Sequence, residues 1–177
     1  MTLSGLIERS QNIYRSINLA TVLYPGSFDP IHNGHMEIIE TASRLFDRVV
    51  VAAMRNPQKG QPLFELEERR SMIQESVAHL PNVEITMFSS LVVQLARDVG
   101  ADFIIKGLRA VSDFENELQM AQMNHKISGV DTLFVPSLSE NSFLASRLIR
   151  EIFKYGGDVS NMVPDPVAKR LQEKHPA

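Results

Sequence analysis

Short apolar segments rich in β-branched residues alternate along the chain with longer segments in which apolar residues recur every three or four positions. The first pattern predicts buried strands, and the second predicts amphipathic helices. Five strands are predicted at residues 21–24, 48–54, 83–87, 103–106 and 132–135. Six helices are predicted near residues 35–46, 65–79, 91–99, 113–126, 146–155 and 165–174. This alternation is typical of an α/β fold in which a parallel sheet has helices on both faces.

The alternating pattern begins at residue 20 and divides the chain into two parts. Residues 1–19 contain charged and amide side chains, such as Glu8, Arg9 and Asn12, and do not have the pattern of a secretory leader. We predict that residues 1–19 form an N-terminal extension. Residues 20–177 are predicted to form a single domain, because domains commonly contain about 100–200 residues.

Composition excludes several classes of function. The chain has 18 Lys and Arg residues against 21 Asp and Glu residues, so its formal charge is −3 and a nucleic acid is not the expected partner. The absence of cysteine excludes a disulfide framework, a thiolate zinc site and a cysteine nucleophile. No apolar run approaches the roughly 18 residues that cross a bilayer, so we expect a cytoplasmic protein that does not contact membranes.

The segment between the first strand and the first helix has the pattern of a phosphate-binding turn. It contains Gly26 and Gly34, and it ends where helical spacing begins. A helix N-terminus presents unpaired amides to an anion, and glycine lets the backbone approach a phosphate closely. Neither the glycine fingerprint of dinucleotide-binding proteins nor a Walker loop is present, so the nucleotide must be held in another way.

His32 and His35 lie in this segment, and their spacing of three places them on the same side of a helical turn. A metal site would need further ligands, and the other three histidines lie in predicted helices or in the C-terminal tail, so no metal site is predicted here. Taken alone, the pair has a simpler interpretation, in which one histidine caps the helix and the other lies at the surface.

The complete string at residues 27–35, Ser-Phe-Asp-Pro-Ile-His-Asn-Gly-His, resembles the His-x-Gly-His motif of the nucleotidylyltransferase superfamily. The resemblance implies a Rossmann-like five-stranded parallel sheet. It also implies transfer of a nucleotidyl group from ATP or CTP to an anionic acceptor, with release of pyrophosphate. In that reaction His35 would donate a hydrogen bond to the α-phosphate as charge builds up in the transition state, a role that suits a positioned donor.

Residues 21–164 are similar to the phosphopantetheine adenylyltransferase family. This resemblance rests on three further stretches, at residues 56–59, 104–109 and 113–124. This resemblance implies direct in-line adenylyl transfer from ATP to 4′-phosphopantetheine, without a covalent enzyme intermediate, as a step of coenzyme A biosynthesis. The products would be dephospho-coenzyme A and pyrophosphate. Mg²⁺ would accompany ATP, the protein would form a homohexamer, and dephospho-coenzyme A or coenzyme A would bind as product or feedback ligand.

The resemblance also implies site residues. The contacts to 4′-phosphopantetheine would come from Ser27, Lys59, Val92 and Lys106. The contacts to ATP would come from Ser27, Phe28, His35, Gly107, Leu108, Arg109, Glu117, Asn141, Ser142, Phe143, Leu144, Ala145, Ser146 and Arg147. Lysine suits a phosphate as a compact cation, and the planar fork of arginine suits phosphate oxygens. We expect Lys59, Lys106, Arg109, Arg147 and Arg150 to gather at the carboxyl end of the sheet around His35.

The sequence departs from the family at a few positions. Position 106 is Lys where Arg is usual, position 116 is Asn where some members have Tyr, and Ala145 and Arg147 replace residues of the last ATP loop. Met120 and Met123 are predicted to pack against another helix or subunit rather than against a ligand. Three alternatives remain: a nicotinate mononucleotide adenylyltransferase, a cytidylyltransferase acting on glycerol phosphate or choline phosphate, and a non-catalytic nucleotide-binding regulatory module.

Overall fold

The five predicted strands form one sheet, in a computed structural model that describes residues 20–55, 60–109, 111–137 and 140–174. The predicted extension at residues 1–19 and the predicted substrate contact Lys59 lie outside these residues. The strands are β1 (Thr21–Gly26), β2 (Arg48–Met54), β3 (Val83–Phe88), β4 (Phe103–Leu108) and β5 (Asp131–Pro136). The helices are α1 (Asn33–Leu45), α2 (Leu66–Ser76), α3 (Val92–Asp98), α4 (Val111–Ser128), α5 (Ser146–Lys154) and α6 (Asp165–Lys174), and a 3₁₀ turn covers Ser160–Met162.

All neighbouring strands are parallel, in the order β3-β2-β1-β4-β5, which confirms the predicted Rossmann-like sheet. The chain builds the sheet outward from β1 to β3, returns across it, and continues from β4 to β5 on the other side. The direction of the connections therefore reverses between β1 and β4. In open parallel sheets, ligands bind beyond the carboxyl ends of the strands at such a reversal.

β1 and β4 diverge towards their carboxyl ends. In these two fully described strands the register joins Val22 with Phe103 and Leu23 with Ile104, near their amino ends. β1 and β2, by comparison, are paired along their length from Thr21 with Arg48 to Gly26 with Ala53. The gap that opens beyond Leu23 and Ile104 is the site considered below.

Apolar side chains cover both faces of the sheet, which confirms the predicted layers. On one face Val22, Val51 and Ile105 pack with residues of α1, α2, α5 and α6, among them Ile39, Met72, Ile149 and Leu171. On the other face Leu23, Val50 and Ile104 pack with Val93, Leu95 and Ala96, of which the last three belong to α3. Because successive strand residues point to opposite faces, burial on both sides explains why the strands are almost continuously apolar.

α6 is tied to α2 by ion pairs on the side of α2 away from the sheet. Arg170 contacts Glu75 at 2.5 Å and donates to the Ser71 hydroxyl at 3.1 Å, and Lys174 contacts Glu68 at 3.2 Å.

Among the described residues, no helix combines the length and the apolar character needed to cross a membrane.

Candidate active site

The gap between β1 and β4 is a cleft of about 960 Å³. Its walls come from the ends of both strands, the loop between β1 and α1, the start of α1, the segment before α2, and the start of α5. Of the described residues, those with functional groups facing this cleft include Ser27, His32, His35, Arg55, Arg69, Lys106, Arg109, Glu117, Ser146, Arg147 and Arg150. A cleft of this volume is within the range that holds small-molecule ligands.

His35 lies in the first turn of α1 and is held by a backbone hydrogen bond. The main-chain N–H of His32, the N-cap residue, donates to His35 Nδ1 at 3.2 Å. A ring nitrogen that accepts a hydrogen bond carries no proton, so this contact assigns the ring proton of His35 to Nε2. The loop thereby presents His35 as a neutral imidazole whose Nε2–H is a hydrogen-bond donor.

His32 stacks on His35, with ring centroids 3.6 Å apart and an interplanar angle of 23°. Burial, and secondarily the charge of Arg109, lowers the pKa of His32 to about 3, so its ring is neutral near pH 7. His32 is 2% exposed and His35 is half-buried, so the interpretation that one of the pair lies at the surface is wrong. Among the described residues, no three His, Asp or Glu side chains are grouped closely enough to hold a metal ion.

The two glycines of the loop make room for its own side chains. A Cβ at Gly26 would lie 2.8 Å from the ring of Phe28, and one at Gly34 would lie 3.2 Å from the ring of His32. Phe28 is 2% exposed, and its ring meets His35 edge-on at 5.0 Å. Internal packing therefore disfavours any side chain at Gly26 and leaves little room for one at Gly34. The close approach of these glycines to a phosphate stays a prediction. Because the ring of Phe28 is buried, a nucleotide could reach only its backbone.

Four of the predicted cations line the cleft, and the fifth, Lys59, lies outside the described residues. Lys106, at the end of β4, contacts Glu117 of α4 at 3.5 Å. Arg109 donates to the Leu144 carbonyl at 2.8 Å and so connects β4 with the segment before α5. The Arg147 side chain is 75% exposed, and it contacts Glu151 one turn further along α5 at 3.6 Å.

Only part of the last predicted ATP loop lines the cleft. Ala145, Ser146 and Arg147 line the cleft, and so does Gly107 near the end of β4. The Ser146 hydroxyl donates to the Pro30 carbonyl at 2.9 Å, so it is engaged with the loop after β1. Four described residues of the loop lie outside the lining: Asn141, Ser142, Phe143 and Leu144. The Asn141 side chain donates to Glu37 at 3.3 Å. Phe143 is 63% exposed, whereas Leu144 is 3% exposed.

Two further predicted contacts lie outside the lining as well. Val92 is half-buried and packs against the apolar cluster that contains Leu23 and Val93. Leu108 is half-buried, and its carbonyl accepts a hydrogen bond from the Ser137 amide at 2.8 Å. The Val92 side chain is placed by the apolar layer, because a short amphipathic helix buries the face that meets the sheet.

Sequence reasoning gave no site role to Asp29 and Arg69, two buried charged residues that line this cleft. Asp29 is 6% exposed and accepts hydrogen bonds from the Leu63 and Phe64 amides. Arg69 is 3% exposed in the first part of α2. A signal for Arg69 was available, because it precedes Met72 and Ile73 by three and four positions and so shares their buried face.

The fold and this cleft define a nucleotidyltransferase. Residues 23–152 match the family described as cytidylyltransferase-like, and the chain belongs to that family. It is 54% identical over 153 residues to the phosphopantetheine adenylyltransferase of Gloeobacter violaceus, a match that covers 86% of this chain and 94% of that protein. It is 50% identical over 153 residues to the enzyme of the same name from Alkaliphilus metalliredigens, with 86% and 97% covered. Within the class, the chain therefore belongs to the phosphopantetheine adenylyltransferases.

Solved structures support the fold independently. A putative nicotinate-nucleotide adenylyltransferase from Vibrio parahaemolyticus superposes with a TM-score of 0.62 at 17% identity, over 86% of this chain and 97% of that one. The lipopolysaccharide core biosynthesis protein from Thermoplasma volcanium superposes with a TM-score of 0.51 at 23% identity, over 67% and 96%. At these identities the similarity shows a shared architecture, and it does not indicate which acceptor substrate this chain uses.

Proposed function

We propose that this chain transfers the adenylyl group of ATP to 4′-phosphopantetheine, giving dephospho-coenzyme A and pyrophosphate in coenzyme A biosynthesis. The observation that carries the proposal is the identity of 50–54% with phosphopantetheine adenylyltransferases across 86–87% of the chain. The cationic cleft at the reversal point of the sheet suits two phosphorylated substrates.

In the proposed mechanism, the phosphate of 4′-phosphopantetheine attacks the α-phosphorus of ATP in line with the departing pyrophosphate. No enzyme nucleophile is needed, because positioning and charge neutralisation supply most of the catalysis in phosphoryl transfer. His35 donates from Nε2 to an α-phosphate oxygen as negative charge develops there. The contact from the His32 amide to His35 Nδ1 supports this role, because it leaves the proton on the donating nitrogen.

The cations are assigned by their position. Lys106 at the end of β4 is proposed to hold the phosphate of the acceptor, together with Lys59 and Ser27. Arg109 and Arg147 are proposed to hold the phosphates of ATP, and the Phe28 and Gly107 backbones to border the nucleotide. Lys106 and Arg109 line one wall of the cleft and His35 the other, which supports an arrangement with the reacting phosphates between them.

Mg²⁺ is proposed to enter with ATP, as part of the substrate. Among the described residues, the carboxylates at the cleft already have partners: Asp29 accepts two backbone hydrogen bonds and lies near two arginines, and Glu117 contacts Lys106. Mg²⁺ commonly keeps several waters and binds through substrate phosphates, so it can reach the cleft without a protein cage. No step above is assigned to the metal.

A pyrophosphate-release assay with MgATP tests the proposal and its alternatives. Turnover with 4′-phosphopantetheine and none with nicotinate mononucleotide is the expected result. Turnover with nicotinate mononucleotide alone would contradict the proposal, and binding of ATP without turnover of either acceptor would favour a regulatory module. Replacing ATP by CTP in the same assay separates an adenylyltransferase from a cytidylyltransferase.

Lys59→Ala tests the assignment of the acceptor phosphate. We expect a higher KM for 4′-phosphopantetheine with little change in the KM for ATP, because the ammonium would contact the acceptor alone. Lys154→Ala is the matched control, since Lys154 is an exposed lysine at the end of α5 and does not line the cleft. A rise in the KM for ATP alone would contradict the assignment.

Three further properties complete the proposal. The chain is proposed to assemble as a homohexamer, supported by the exposed apolar side chains of Met120, Met123 and Ile127 on α4. The cytoplasm is the proposed location, since it supplies the ATP that the reaction consumes. Coenzyme A is proposed as a feedback ligand, because it contains the pantetheine and adenosine parts that the cleft must hold.

A further inference from the structure

Arg69 is a buried arginine to which the resemblance gives no role. It is 3% exposed, and its position on α2 directs it to the face that also contains Met72 and Ile73. A charged group this deep is costly unless its donors are hydrogen-bonded. The partners of Arg69 are therefore informative about what the residue does.

Arg69 binds three backbone carbonyls, and one of them belongs to Ser27, which lines the cleft. Its Nε donates to the Phe64 oxygen at 2.7 Å, and its Nη1 donates to the oxygens of Ser27 at 3.1 Å and Met54 at 3.3 Å. Ser27 follows β1, Met54 ends β2, and Phe64 precedes α2. One guanidinium thus joins three segments of chain.

Asp29 connects Arg69 to α5. Its carboxylate accepts from the Leu63 amide at 3.1 Å and the Phe64 amide at 3.0 Å. Arg69 Nε lies 3.6 Å from one carboxylate oxygen, and Arg150 Nη1 lies 3.5 Å from the other. Arg150 also donates to the Asp29 carbonyl. We call Arg69, Asp29 and Arg150 the loop clamp, because together they hold the loop between β1 and α1 from both sides.

The loop has a conformation that needs such support. Phe28 has φ 45°, in the left-handed region that is unfavourable for a bulky residue and persists where the surroundings enforce it. The Ser27 carbonyl and the Phe28 N–H belong to one planar peptide unit. The hydrogen bond from Arg69 to the Ser27 oxygen therefore also fixes the direction of the Phe28 N–H.

We propose that the loop clamp is a positioning device for adenylyl transfer, with Arg69 as its principal positioning residue. Through the Ser27 carbonyl, Arg69 orients the Phe28 amide towards the α-phosphate of ATP, and through Asp29 it fixes the loop on which His35 depends. The inference rests on the proposed function, since the phosphate that it positions is that of the proposed substrate.

Arg69→Lys tests the proposal, because lysine keeps the charge but lacks the planar fork that reaches three carbonyls. We expect kcat to fall by about 10-fold to 100-fold, since a displacement of about 1 Å in a catalytic group costs rates of this order. The KM values for ATP and 4′-phosphopantetheine should stay within about twofold, because Lys106 and Arg109 remain in place.

A second readout separates positioning from stability. The two diastereomers of adenosine 5′-O-(1-thiotriphosphate) place sulfur at different non-bridging positions of the α-phosphate. We expect the wild type to prefer one diastereomer, and Arg69→Lys to reduce that preference by at least about fivefold, because the donors around the α-phosphate lose their fixed direction. A loss of folded protein would lower both rates equally and leave their ratio unchanged.

Arg170→Met is the matched control. It removes an arginine that holds α2 through Glu75 and Ser71, and none of these three residues lines the cleft. We expect a lower Tm with unchanged kcat and unchanged diastereomer preference, when rates are measured well below the Tm of each variant. If Arg69→Lys does not fold, Arg150→Lys replaces it, and a smaller loss of kcat with a reduced preference is expected.

The outcomes are distinct. The proposal would be overturned if Arg69→Lys kept the diastereomer preference of the wild type. If Arg69→Lys does not fold, the same result in Arg150→Lys would overturn it. A loss of kcat that Arg170→Met reproduces at equal loss of Tm would overturn it as well. If the wild type released no pyrophosphate from MgATP and 4′-phosphopantetheine, the proposed function would fail and this inference with it. If the wild type turned over normally and Arg69→Lys had the same kcat and diastereomer preference, this inference would fail and the proposed function would stand.

Discussion

The state of His35 depends on a contact to its own loop. Its Nδ1 accepts the His32 amide at 3.2 Å, and the His32 ring stacks on it at 3.6 Å. The hydrogen bond leaves Nε2 as the donating nitrogen, and the stacked ring helps to fix the orientation of the imidazole. A preorganised donor of this kind stabilises developing charge without having to reorient during the reaction.

His35→Ala is expected to lower kcat by about 10²–10³-fold and to leave the KM for ATP nearly unchanged, because the hydrogen bond is strongest in the transition state. Steady-state pyrophosphate release measures both constants. His79→Ala is the control, since His79 has a side chain 58% exposed on the surface and contacts Glu40. A large rise in KM with normal kcat would place His35 in ground-state binding instead.

His32 gives the folded protein a dependence on pH. Burial first, and then Arg109, lowers its pKa from 6.5 to about 3, so the unfolded chain takes up a proton that the folded chain does not. Stability contributed by this residue is therefore complete above about pH 6.5 and is lost as the pH falls towards 3.

We expect the free energy of unfolding of the wild type to fall more steeply than that of His32→Gln between pH 6 and pH 4. The difference in slope should approach about 1.4 kcal/mol per pH unit, the value for one proton. Urea unfolding at several pH values measures it, and comparing the two proteins cancels the contribution of the carboxylates. Parallel curves would show that His32 titrates alike in both states.

At the scale of elements, β4 and α4 bring opposite charges together at the cleft. Lys106 at the end of β4 contacts Glu117 of α4 at 3.5 Å, and their side chains are 25% and 33% exposed. An ion pair this accessible is weak and can exchange partners. If Lys106 holds the acceptor phosphate as proposed, Glu117 competes with that phosphate for the Lys106 ammonium.

Glu117→Gln is expected to lower the KM for 4′-phosphopantetheine by up to about fivefold, since partly exposed pairs contribute up to about 1 kcal/mol. The KM for ATP should rise if Glu117 also contacts the nucleotide, as the resemblance implies. Glu115→Gln, an exposed position on the same helix, is the control for a general change of charge. A higher KM for the acceptor would show that the pair orients Lys106 rather than competing for it.

At the scale of the whole molecule, a chain with a formal charge of −3 concentrates cations at one cleft. Lys106, Arg109, Arg147 and Arg150 meet there because parallel strands place their carboxyl ends at one edge of the sheet. Away from this edge, α4 exposes Met120, Met123 and Ile127 by 56%, 59% and 51%. Contact between copies of the chain would remove this apolar surface from water.

The proposed homohexamer predicts a particle of six times the chain mass of 19.9 kDa, measured by light scattering after size exclusion. Met123→Glu should lower that mass, because a carboxylate placed in an apolar interface is costly to desolvate. Gln122→Glu adds the same charge at the neighbouring exposed position and should leave the mass unchanged. A monomeric wild type would contradict the assembly.

The sequence by itself determined the elements and the family. The alternation of apolar runs predicted five strands and six helices, all confirmed, because each pattern reflects burial on one face or on both. The string at residues 27–35 indicated the superfamily, and in the structure Phe28, Asp29, Ile31 and His32 of that string are buried. The extension at residues 1–19 and the role of Lys59 stay predictions.

Only the tertiary structure decided which polar groups meet. In the structure β1 and β4 pair only near their amino ends. Asp29 and Arg69 are buried, and so are the side chains of Phe28 and Leu144. Arg69 and the Ser27 carbonyl are 42 positions apart, and Arg150 and the Asp29 carbonyl are 121 positions apart. Local periodicity records whether a side chain is buried, but the partner of a buried charge depends on how distant elements are brought together by the fold.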